Sequence, residues 1–132
     1  MNPAPAPQKH ALLVVGDVFF SSRLRDTLKH LGIGAASARS DAEVEARLGE
    51  ARPSLVIVDL TIRSLDAGAL VRRLKAAPTT RSIPVIAFAG HVEVERLKAA
   101  SAAGAECVVT NGQISAGLPG LLASLGVAGG GV

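Results

Sequence analysis

Five short apolar runs, each followed by a stretch with helical periodicity, constrain this chain more than any other feature. The first run, Ala11-Leu-Leu-Val-Val15, stops at Gly16-Asp17 and reads as a buried strand ending in a loop. Phe20, Leu24, Leu28 and Leu31 then recur at helical spacing, with Gly32 at the helix end. Ile33 to Ala38 reads as a strand of small residues. Ser40 with Glu43 matches a capping box and opens a helix carrying Val44 and Leu48. Pro53 to Val58 is a second clear buried strand, ending in Asp59, and helical spacing returns at Leu70, Val71 and Leu74. Ile83 to Phe88 is a third clear run. Val92 to Ala103 is an alanine-rich helix closed by Gly104, and Cys107-Val-Val109 is the last strand. Ile114 to Leu125 closes the series, with Pro119 expected in the first turn of a helix running to Leu125 rather than in its interior.

Strands that are apolar throughout, alternating with amphipathic helices, imply a parallel sheet with right-handed crossovers and helices on both faces. The expected fold is a doubly wound α/β domain built on a five-stranded parallel sheet. In such sheets a site forms beyond the carboxyl ends of the strands, near the switch point of the winding. The positions to read are therefore Gly16-Asp17, Asp59, Ala89-Gly90 and Asn111-Gly112.

Composition narrows what such a domain does. At 132 residues the chain suits one core. The expected division is a flexible Pro/Ala-rich tail over 1–9, one domain over 10–126 and a flexible Gly-rich tail over 127–132. The only aromatics are three Phe, so the core must be built from Val, Ile, Leu and Ala. The formal charge of +3 comes from basic residues interspersed with acids, without the concentrated basic face that nucleic-acid binding requires. One cysteine, Cys107, permits no intrachain disulfide and fits a reducing, cytoplasmic setting. No apolar run reaches membrane-spanning length, and the start lacks a signal-peptide core. Gly16-Asp-Val-Phe lacks the glycine spacing of a nucleotide loop. No base–nucleophile pair appears, so an enzyme is not expected.

On these residues the chain resembles response-regulator receiver domains along its folded length. Leu-Val-Val-Gly-Asp17 resembles the family's first strand with its acidic pair, and Val-Ile-Val-Asp59 the third strand with its phosphoacceptor aspartate. Pro84-Val-Ile and Ala103-Gly-Ala105 stand where the family has similar residues before its threonine and its lysine. The resemblance implies a flavodoxin-like (βα)5 receiver topology with strand order 2-1-3-4-5. It implies Asp59 as the phosphoacceptor position. It implies Asp17, Asp59 and a backbone carbonyl near Thr61 as ligands of Mg²⁺, held weakly and not required.

The departures from that pattern are more informative. Gly16 stands where the first acid of the pair belongs, and Ala89 where a hydroxyl should contact a phosphoryl group. Asn111 replaces the lysine, removing a positive charge from a site that would receive about two negative ones. Gly112 replaces the proline after that lysine, and Arg63 the proline of the loop after Asp59. Val108 replaces the aromatic switch residue, so with Ala89 both halves of the hydroxyl-to-aromatic switch are gone. Charge-assisted hydrogen bonds to a phosphoryl group are worth roughly 1.5–3 kcal/mol each, so losing cation and hydroxyl together costs orders of magnitude in rate or phosphoryl-state stability.

Plainer readings cover the remaining polar residues. Asp66 is a helix N-terminal acid favoured by the dipole, His91 a loop or helix-start residue, and Cys107 a small buried hydrophobe. The resulting expectation is a degenerate receiver acting as a protein-interaction module for a signalling kinase or effector, independent of phosphorylation. The face receivers commonly use corresponds here to Val92–Ala103, Cys107–Thr110 and Ser115–Leu125, with homodimerisation left open. Two alternatives remain: a phosphoacceptor using Asp59 with Mg²⁺, and a small-ligand-binding flavodoxin-like domain.

Overall fold

The computed structural model describes residues 9–127, and within them the five strand–helix units follow one another without interruption. They are β1 (His10–Val14), α1 (Val18–His30), β2 (Gly34–Ser37), α2 (Asp41–Glu50), β3 (Leu55–Asp59), α3 (Ala67–Ala76), β4 (Val85–Ala89), α4 (Val94–Ala102), β5 (Cys107–Thr110) and α5 (Asn111–Ser124). All pairings are parallel, in the order β2-β1-β3-β4-β5. The winding therefore reverses between β1 and β3, which places the crevice above their carboxyl ends.

Alternation along each strand divides the core in two. Leu12, Val14, Val56, Val58, Val85 and Ala87 pack with Val44 of α2, Leu70 and Leu74 of α3 and Ala100 of α4. Leu13, Val15, Ile57, Ile86 and Phe88 pack on the other side, with Leu24 and Leu28 of α1 and Ile114, Leu118 and Leu122 of α5. Burying both faces makes the central strands apolar from end to end.

Helix ends follow local chemistry. Asp66 caps α3, its Oδ1 accepting the Ala69 N–H at 3.0 Å. At α2 the expected capping box is altered. Ser40 Oγ accepts the Glu43 N–H at 3.1 Å, but Glu43 Oε1 reaches back to the N–H of Arg39, one residue earlier than Ser40. The complete box lies instead at α5, in Thr110-Asn-Gly-Gln113. Gln113 donates its N–H to Thr110 Oγ1 at 3.2 Å and accepts the Thr110 N–H at 2.8 Å. Helix α5 breaks at Gly117, whose backbone is not helical (φ −122°, ψ 15°). Pro119 thus stands in the first turn after the break, where its missing N–H leaves no partner unmet.

The expected tails lie largely outside the described residues, and two of their residues belong to the fold. Lys9 accepts the Gly34 N–H at 3.0 Å. Val127, assigned to the tail on composition, is buried in the α1/α5 side of the core. Gly126 closes α5 at φ +75°, and Val127 donates to Leu122. This left-handed terminus turns the following residue back onto the helix.

Candidate functional site

The crevice beyond β1, β3 and β4 is assembled by three strand ends. Asp59, the last residue of β3, is half-buried, while Asp17, one turn past β1, is exposed. Neither carboxylate is idle. Asp17 is the N-cap of α1: Oδ1 accepts the Phe19 N–H at 2.8 Å and the Phe20 N–H at 3.1 Å. Asp59 Oδ1 accepts both the N–H of Thr61 at 2.9 Å and its hydroxyl at 2.8 Å. The chain after β3 is thereby folded into a tight Asx-type turn. Thr61 thus presents two donors to Asp59, and these bonds leave the carbonyl expected as a ligand unused. Asp59 Oδ2 accepts no hydrogen bond from the described residues.

Gly16 leaves a gap that an apolar side chain closes. A Cβ placed there would stand 3.5 Å from Ile62 Cγ1 and 3.9 Å from Asp59 Oδ2. Ile62 is buried, so a hydrocarbon wall lines the position where a first carboxylate would stand. Ala89 is buried at the end of β4, and Val108 is half-buried on β5. Asn111, expected just past the last strand, directly follows β5 and is the exposed first residue of α5, because the Thr110–Gln113 box starts the helix at the end of the strand.

These residues fit a tightly held Mg²⁺ poorly. The cation needs several oxygen donors in near-octahedral geometry. One oxygen of each carboxylate is already hydrogen-bonded, and Ile62 lines the third position. No group of three or more His, Cys, Asp and Glu that could hold a metal occurs among the described residues.

Several features near the crevice were not read from sequence. Arg96 of α4 extends to the loop after β3, its Nη1 donating to the Leu60 carbonyl at 3.2 Å, with Nε on Glu93 Oε2 at 3.2 Å. In sequence it is one more surface charge on a helix. Apolar residues also rim the crevice: Phe19 is 84% exposed, and Val18, Val92 and Val94 are exposed as well. His91 lies in the exposed loop before α4. A groove of about 770 Å³ between α2 and α3, over Pro53 and Ile83, lies at the opposite, amino-terminal end of the strands.

A family model described as the response regulator receiver domain matches residues 12–112. The signal receiver domain of a signal transduction histidine kinase from Syntrophus aciditrophicus is 26% identical, with a TM-score of 0.78 over 89% of each chain. The signal receiver domain of a DNA-binding response regulator from Colwellia psychrerythraea is 22% identical, with a TM-score of 0.75 over 87% of this chain and 98% of that one. The Mn²⁺-bound form of the response regulator Rcp1 is 22% identical, with a TM-score of 0.69 over 77% of this chain and 80% of that one. No curated protein matches the chain.

Proposed function

The chain belongs to the response-regulator receiver family of two-component signalling, and we propose that it is an atypical member, a protein-docking module that works without phosphorylation of Asp59. The observation that carries this reading is the state of the phosphoacceptor turn. Asp59 Oδ1 is taken by two donors from Thr61, Ile62 lines the position of the missing acid, and the exposed Asn111 is the first residue of α5. A phosphoryl group adds about two negative charges, and neither a lysine at position 111 nor a hydroxyl at position 89 is present to receive it. A ligand shifts a conformational equilibrium only through contacts that differ between the two states, and those contacts are deleted.

The docking face in this reading is α4, β5 and α5. From Cys107 to Val132 the sequence has no charged residue, and β5 is an edge strand paired only with β4. Val92 and Val94 are exposed at the start of α4. Interface centres are depleted of charge in the same way, and an open, uncharged edge invites a partner. The partner is a signalling kinase or an effector domain, in a cytoplasmic setting. Among the described residues no helix is long and apolar enough to cross a membrane.

One observation favours a second reading, a residual phosphoacceptor: Asp59 Oδ2 remains open. Rcp1 in its Mn²⁺-bound form shows that a receiver of this fold takes a divalent cation, so weak, dispensable Mg²⁺ binding at Asp59 and Asp17 belongs to this reading. Incubation with acetyl phosphate and Mg²⁺ followed by intact-mass measurement separates the two. Docking without phosphorylation predicts no adduct. An adduct that is stable, and absent from Asp59→Asn, overturns it.

A further inference from the structure

Helix α4 is weakly anchored. It buries one residue completely, Ala100, with Leu97 and Ala103 half-buried against the core. Its N-cap, Glu93, makes no side-chain capping bond. Among the described residues, the Arg96 bond to the Leu60 carbonyl is the only side-chain hydrogen bond joining α4 to another element. Leu60 directly follows Asp59, inside the turn that Asp59 and Thr61 close. Glu93 holds the guanidinium from its other edge.

We propose that Arg96 is a positioning residue, a tether that sets α4 against the Asp59 turn and so holds the docking face in one shape without a phosphoryl group. The proposal rests on the reading of α4 as part of that face. The guanidinium fork is a rigid donor that loses little freedom per bond formed, and the acceptor is a backbone carbonyl fixed by the turn. A polar contact from α4 to the turn after β3 thus takes over part of what the absent pair at positions 89 and 108 would do. The coupling has a stated direction: whatever alters the Asp59 turn displaces the Leu60 carbonyl, and Arg96 passes that displacement to the first turns of α4.

Hydrogen exchange followed by NMR on the free protein tests the tether. Arg96→Ala should raise exchange at the α4 amides about five- to ten-fold, shift the amide signals of Thr61 and Ile62, and leave α1 and α5 unchanged. Exchange at α4 within about two-fold of the parent overturns the proposal. So does a uniform acceleration that includes α1 and α5, because it would mean general destabilisation. A second measurement reads the coupling. Asp59→Asn should shift the amide resonances of Val94 to Leu97 in the parent and leave them unshifted in Arg96→Ala. Equal shifts in both backgrounds overturn it. No partner is needed, so failure here is distinguishable from failure of phosphorylation-independent docking, which the acetyl phosphate experiment tests.

Discussion

Lys75 and Glu106 lock α3 to the start of β5: Lys75 Nζ stands 2.7 Å from Glu106 Oε2 and 2.9 Å from Oε1. The same ammonium donates to the carbonyls of Arg81 and Ile83 at 2.7 and 3.1 Å, and Glu106 Oε1 accepts the Val85 N–H at 2.9 Å. With its side chain only 11% exposed, Lys75 joins three segments of chain at the amino-terminal ends of β4 and β5, away from the crevice.

Removing the ammonium leaves two carbonyls without that donor and the Glu106 carboxylate with only the Val85 N–H. Lys75→Ala should therefore destabilise by about 2 kcal/mol in urea unfolding. Glu106→Gln keeps an acceptor for Val85 and should cost about half as much. A double-mutant cycle should give a clear coupling energy. Additive effects would show that the two side chains stabilise the fold without coupling to each other.

Asp17 Oδ1 caps α1. Asp17→Ala should lower stability by about 1 kcal/mol, and Asp17→Asn, which keeps a capping oxygen, by only a few tenths. Thermal unfolding with and without Mg²⁺ checks both. If all of the loss appears only with Mg²⁺ present, the residue is a ligand first and a cap second.

Gly16→Asp restores the missing acid beside Asp59 and Ile62. The backbone there needs no left-handed conformation, so the variant should fold. Its new carboxylate would lie near Asp59 Oδ2 and repel it. Stability should fall by about 1 kcal/mol without divalent cation and recover by a similar amount in millimolar Mg²⁺. The parent should respond little to Mg²⁺ under the same conditions.

Burial raises the Cys107 thiol above its ordinary value. The folded thiol then ionises at higher pH than the unfolded one. Its contribution to stability is whole below the ordinary thiol range and is lost as pH rises through the raised value. Alkylation by iodoacetamide at pH 8 should be slower in the native protein than in urea, and equal rates would show that the strand leaves the sulfur open.

Most of the fold was legible because its signals are local. Apolar strand runs, helical periodicity and the cap at Asp66 depend on residues a few positions apart, and the elements stand within a few residues of where those spacings place them. The Thr110–Gln113 box is equally local, but the apolar spacing that marks the last helix begins only at Ile114, three residues inside it. Asp17 and Asp59 could be named from their places at strand ends, but not what their oxygens already hold.

The sequence by itself determined the alternation of five strands and five helices, the parallel sheet that buries both its faces, and the absence of an acid at 16, a hydroxyl at 89 and a lysine at 111. Only the tertiary structure decided that Ile62 closes the gap beside Gly16, that Arg96 reaches the Leu60 carbonyl, and that Lys75 meets Glu106. Those contacts span up to 46 positions in the chain. Local periodicity fixes which face of an element is apolar, but such meetings exist only once the crossovers have set which elements are neighbours in space.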